Sequence, residues 1–221
     1  MNRNVLKIIA VISMLIDHIG AYIFPDAYWL RCIGRLAFPI FAFFIAEGMR
    51  YTRSRKRYVL TLLVFAIISQ IPYGFLREFY YLNILFTFLI AIFAIFLIEN
   101  YKKNETLYMI YLVFLGSVLL FVEFLNIIDY GIFGVLLILV FYFVKDKKLS
   151  LCLGAACLVL LTLKMMLFAG FTLRSTVQFL SILSLLLLYF YNGNKGKVNL
   201  KWLFYIFYPL HLLVILIITL I

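Results

Sequence analysis

Asp17 and His18 stand side by side in Ser13-Met14-Leu15-Ile16-Asp17-His18-Ile19-Gly20, inside an apolar run from about Val5 to Phe24. About 20 residues at a rise of 1.5 Å cover the roughly 30 Å hydrocarbon core of a bilayer, so this run is long enough to cross one. Ionisable groups at that depth are costly unless they face a bundle interior or a water-filled pocket. Histidine is also the side chain suited to moving a proton near neutral pH. The pair therefore points to acid–base chemistry inside a membrane. Sequence neighbours on a helix point about 100° apart, so the two side chains do not face each other. Asp17 is expected to pair with Arg35 or Arg31, or to reach His18 through water.

Arg35 lies in Arg31-Cys-Ile-Gly-Arg35-Leu-Ala-Phe-Pro39. Arginine cannot discharge itself by losing a proton, so it must pair, snorkel or bind an anion. Helical rise places it at the depth of His18, each about 9 Å below the outer surface. Pro39 is expected to kink the second run. The other histidine, His211, follows Pro209 in Phe204-Tyr-Ile-Phe-Tyr208-Pro209-Leu-His211. At about 15 Å into its run it is expected near mid-membrane, as the second candidate base. Catalytic candidates are thus His18, Asp17, Arg35 and His211. Arg31, Gln70, Asn83, Asp129 and Tyr208 are the polar groups expected to hold a substrate, most of them in the outer half. Arg50-Tyr-Thr-Arg53-Ser-Arg55-Lys56-Arg57 is a dense basic loop suited either to anionic lipid or to a phosphate-bearing ligand. Glu47 is expected to pair with Arg50 three residues on, and Lys164 to snorkel to the outer surface.

The elements that must position these groups follow from composition. The 221 residues are 67% hydrophobic and 13% charged, against about 45–50% and 25% in soluble domains. The expected fold is all-α, one polytopic membrane helix bundle over residues 1–221. Nine spans are expected, at about 5–24, 30–49, 58–76, 82–99, 106–123, 130–144, 149–169, 174–191 and 201–221. The first run is too long for a secretory h-region and lacks a small-residue cleavage site, so it is expected to be retained. Alternating the gaps between two sides puts fifteen Lys and Arg on one side, including Lys102 and Lys103. Arg31, Arg77 and Arg174 fall on the other. The positive-inside rule then makes the N-terminus cytoplasmic and the C-terminus external, in the cell's inner (plasma) membrane. The net charge of +11 reads as topology, and nucleic-acid binding has no support beyond it. Cys32, Cys152 and Cys157 form no CxxC pair, and two histidines without an acidic cluster do not suggest a metal site.

Ordered motifs along nearly the whole chain resemble the TraX family of integral membrane proteins. They are Met14-Leu-Ile-Asp17-His18-Ile-Gly20, Gly34-Arg35-Leu-Ala-Phe-Pro39, Ala46-Glu47-Gly48 with Tyr51-Thr52-Arg53, and Ser69-Gln70-Ile71-Pro72. Asn83-Ile-Leu-Phe-Thr87, Asp129-Tyr-Gly131-Ile-Phe-Gly134, Tyr191-Asn192-Gly193-Asn194-Lys195-Gly196 and Phe204 to Leu212 complete the set. That family is named for a conjugation protein that acetylates the N-terminus of pilin. It is similar, more distantly, to membrane acyltransferases of cell-surface polysaccharides and to heparan-glucosaminide N-acetyltransferases. The resemblance implies acyl transfer from cytosolic acetyl-CoA, as co-substrate, through a membrane-embedded histidine. The phosphates would rest on Arg50, Arg53, Arg55, Lys56 and Arg57. The acceptor would be a hydroxyl or amine of an envelope glycan, a lipid-linked sugar or a pilin-like protein. A transporter or flippase of a polar envelope substrate, and a non-catalytic assembly factor, are the alternatives.

Overall fold

In lipid a backbone must satisfy its own hydrogen bonds, which leaves helices as the outcome for long apolar runs. The computed structural model describes residues 1–101, 105–198 and 200–221, and its named elements are all helical. They are α1 (Arg3–Tyr22), α2 (Tyr28–Gly34), α3 (Ala37–Tyr51), α4 (Arg55–Leu76), α5 (Ile84–Tyr101), α6 (Glu105–Leu125), α7 (Gly131–Phe143) and α8 (Lys147–Ala169). After these come α9 (Leu173–Thr176), a 3-10 turn (Val177–Ile182), α10 (Leu183–Tyr189) and α11 (Lys201–Leu220). Polar side chains mark several starts. Asn2, Ser54 and Asp146 accept from the amides of Val5, Arg57 and Leu149, and Thr172 forms a reciprocal capping box with Ser175.

Each expected run is helical. Among the described residues, six segments are long and apolar enough to cross a membrane, α2 and α3 counting together as Tyr28–Tyr51. Ile84–Asn100, Gly131–Phe143 and Val177–Tyr189 are apolar but shorter. The 13 residues of α7 reach about 20 Å, well short of a hydrocarbon core. The chain is a multi-pass membrane protein. Lys102 and Lys103, which entered the charge asymmetry, lie outside the described residues.

The second run breaks at Arg35–Leu36, between α2 and α3. Pro39 has no N–H to give the Arg35 carbonyl four residues back, so the ladder opens there rather than at the proline. That break sets the Arg35 side chain at a corner instead of along a smooth helix. Close packing of α1 on α2 depends on Gly34, where a Cβ would overlap the Asp17 carboxylate.

At the centre, α3, α5 and α7 bury Ile40, Ala42, Met49, Ala91, Ile95, Leu137 and Ile138. α11 packs on α4 and α1, and α8 on α7 and the 3-10 turn. The expected local pairing of Glu47 with Arg50 is not made. Glu47 accepts from Arg3 at 2.7 Å and from the Tyr191 hydroxyl at 2.9 Å. Arg50 instead donates to the carbonyls of Phe141 and Tyr142, the free C-terminal end of α7. Both exchanges follow from tertiary partners that lie closer than the i,i+3 neighbour. Lys164 does not snorkel; it forms an ion pair with Glu123 of α6.

Candidate functional site

α1 contributes Asp17 and His18 to the wall of a cavity of about 1640 Å³. Its lining comes from α1 to α9, α11 and the segment from Asn126 to Tyr130. Among the described residues that line it are five cations, Lys7, Arg31, Arg35, Arg77 and Lys164, and three carboxylates, Asp17, Glu123 and Asp129. The cavity is therefore electropositive, in surroundings where an unpaired charge is expensive.

His18 and His211 meet. Nδ1 of His18 lies 2.7 Å from Nε2 of His211, and the rings are stacked with centroids 4.9 Å apart. Nδ1 of His211 lies 2.8 Å from the Phe207 carbonyl. A carbonyl only accepts, so His211 carries its proton on Nδ1 and its Nε2 is the acceptor when neutral. His18 must then donate from Nδ1, which leaves its Nε2 with a free lone pair. His18 lines the cavity, whereas His211 is buried behind it, 4% exposed. Depth counted from sequence set His211 deeper than His18. The contact between the two rings removes that difference, and the Arg3 amide at the start of α1 donates to the Asn194 carbonyl ahead of α11.

Asp17 faces α2, not His18. Arg31 Nη1 donates to its Oδ2 at 2.7 Å and to its main-chain carbonyl at 2.7 Å. Arg35 Nη2 lies 3.4 Å from its Oδ1. One carboxylate thus serves two guanidiniums. Arg35 also donates to Gln178 at 3.1 Å, a neutral partner, and its Nε has none. Arg31 and Arg35 both line the cavity.

A second charged group lines the same cavity. Arg77 and the Tyr73 hydroxyl donate to the two oxygens of Asp129 at 2.7 and 2.8 Å. Thr87 donates to the Asp129 carbonyl at 2.9 Å. Tyr208, 6.4 Å from the His18 ring centroid, lines the cavity with them.

Other expected residues sit elsewhere. Gln70 and Asn83 are not on the cavity wall. The Gln70 carbonyl accepts from the Asn83 amide and side chain, and Asn83 also donates to Ala66. This network joins α4 to the start of α5. In the basic loop, Arg55 is held by Glu99 and Tyr142, and Arg50 by the end of α7. Arg53, Lys56 and Arg57 are exposed and off the cavity.

Sequence reasoning passed over Tyr22, whose ring stacks 6.0 Å from His18, although the i,i+4 spacing on α1 carried that contact. It also missed the Glu123–Lys164 pair, which no local spacing reveals.

A probable fimbrial assembly protein, FimC, of Dichelobacter nodosus is 30% identical over 242 aligned residues, covering 96% of each chain. An uncharacterized protein of Rickettsia prowazekii is 27% identical over 217 residues, 91% of this chain and 84% of its own. Protein TraX of Escherichia coli is 33% identical over 91 residues, 40% of this chain and 37% of its own. No solved structure matches the chain. The family model described as TraX protein matches residues 2–219, and the chain belongs to the TraX family.

Proposed function

We propose that the protein is an acetyltransferase of the inner membrane that passes an acetyl group from cytosolic acetyl-CoA to an acceptor in the outer half of the bilayer. The observation that carries this reading is the His18–His211 pair, which leaves the His18 Nε2 lone pair available on a cavity wall beside a guanidinium. A thioester is already activated. The site then needs a base for the acceptor proton and positive charge for the developing oxyanion.

Acceptor N–H or O–H gives its proton to His18 Nε2 as its heteroatom attacks the acetyl carbonyl. The carbonyl pair moves to oxygen, where Arg35, sharing Asp17 with Arg31, supplies charge. The C–S bond then breaks, and the sulfur takes the proton back from His18 as CoA leaves. His211 accepts from His18 Nδ1 throughout, which favours the imidazolium and fixes the ring. The exposed Arg53, Lys56 and Arg57 remain free for CoA phosphates. Nine spans, with a cytoplasmic N-terminus and an external C-terminus, set the two ends of the cavity on opposite sides.

FimC, named for fimbrial assembly, and the pilin acetylation by the conjugation protein for which the TraX family is named favour an amine or hydroxyl on a pilus subunit as acceptor. The test is product analysis. Purified protein in liposomes is given acetyl-labelled acetyl-CoA and a cell-envelope extract. Label carried covalently into an envelope protein is the expected result. Movement of an unmodified envelope substrate, with acetyl-CoA untouched, would replace the enzyme with a transporter.

A further inference from the structure

Lys7 and His18 are eleven residues apart on α1, close to three full turns, so they share one face about 16 Å apart along the axis. Met14 lies on that face between them, and all three line the same cavity. The Lys7 ammonium sits 4.3 Å from the Phe204 ring centroid and 5.6 Å from that of Phe44. Aromatic faces attract a cation without neutralising it. The carboxylate nearest this end in the fold, Glu47, already serves Arg3 and Tyr191. Among the described residues no carboxylate forms an ion pair with Lys7. Of the cations on the wall, Arg31, Arg35, Arg77 and Lys164 each stand within ion-pair distance of an acid. Lys7 does not. Apolar groups such as Met14, Phe41 and Leu62 line the same cavity.

A ligand matched to this wall has an anionic group at one end, an uncharged arm, and a reactive carbonyl at the other. We propose that Lys7 binds a phosphate of the acyl-CoA donor at the cytosolic end of the cavity, with the pantetheine arm lying along α1 and the thioester at His18. This rests on the acyl-CoA reading above. It adds an anchor inside the bundle to the surface loop that the basic sequence suggested.

The experiment uses the full-length protein in detergent with two probes, CoA and acetyl-pantetheine, the second lacking phosphates. CoA affinity is measured for wild type, Lys7→Met and Lys7→Arg, together with turnover of acetyl-CoA and acetyl-pantetheine. A charge-assisted contact to phosphate predicts about tenfold weaker CoA binding in Lys7→Met, with Lys7→Arg retaining most of the affinity. The ratio of kcat/KM for acetyl-CoA over acetyl-pantetheine falls by a similar factor. Unchanged CoA affinity in Lys7→Met, where wild type binds CoA, overturns the Lys7 site and leaves the acyl-CoA reading standing. Equal losses with both donors mean a damaged fold and also overturn the phosphate contact. Wild-type protein that binds no CoA overturns both readings.

Discussion

The Nδ1 atom of His18 lies 2.7 Å from Nε2 of His211, across 193 residues of sequence. Because His211 spends its own Nδ1 proton on the Phe207 carbonyl, the direction of this bond is settled by chemistry. His211 accepts, His18 donates, and the nitrogen that remains basic belongs to His18.

The two histidines should therefore fail differently. In His211→Gln the side-chain carbonyl can still accept from His18 Nδ1, whereas His211→Leu removes the acceptor. We predict that kcat falls further in His211→Leu than in His211→Gln, by about tenfold, with the KM for acetyl-CoA near wild type in both. Steady-state kinetics on the two variants measures this split. Equal kcat in the two would make His211 a packing residue.

Gly34 is predicted to be indispensable to the meeting of α1 and α2. A methyl group there overlaps the Asp17 carboxylate, so Gly34→Ala must displace either the helix or the Arg31–Asp17 pair. A loss of about 1–3 kcal/mol is expected, the usual cost of overpacking. Thermal unfolding in detergent measures it, and an unchanged midpoint would show that this contact is soft.

The basic loop divides into paired and exposed arginines. Arg50 closes the end of α7, and neutralising it should lower stability by about 0.5–1.5 kcal/mol. Arg55 pairs with Glu99 in a half-exposed position, worth about 0.2–1 kcal/mol. Arg53 and Arg57 are exposed. Their replacement by Gln should leave the unfolding midpoint in place and raise the KM for acyl-CoA more than it lowers kcat. Unchanged KM in correctly inserted protein would return these two to a purely topological role.

Most of the helical framework was legible because its cause is local: apolar runs in lipid become helices. Asp17, Arg31 and Arg35 could be brought near each other from helical rise, since consecutive antiparallel helices share a depth scale. His211 could not, because its level depends on where α11 starts against α1, and that offset is set by the packing of the Met1–Arg3 segment on the 190–198 stretch. Gln70 and Asn83 were misread for a related reason. Polar residues in an outer half look alike in sequence, and only packing separates a buried network between helices from a cavity wall. The Arg50 and Lys164 partners are likewise tertiary, at separations no helix period encodes.

Topology gives a prediction independent of chemistry. Ser54 and Thr219 should be accessible from opposite sides of the membrane if nine helical passes cross it. Single cysteines at these positions, in a chain lacking Cys32, Cys152 and Cys157, report their side through impermeant thiol labelling. Labelling of both from the same side would remove one pass, and the short α7 would be the first suspect.

His18 is the proposed base. General base catalysis contributes about 10²–10⁴-fold in rate, so the direct measurement is acetyl transfer by purified His18→Ala under saturating acetyl-CoA. Turnover is expected to fall by that factor, with CoA affinity and the amount of folded protein near wild type. Near-normal acetyl transfer by His18→Ala, and by the His18→Ala/His211→Ala double variant, would contradict it.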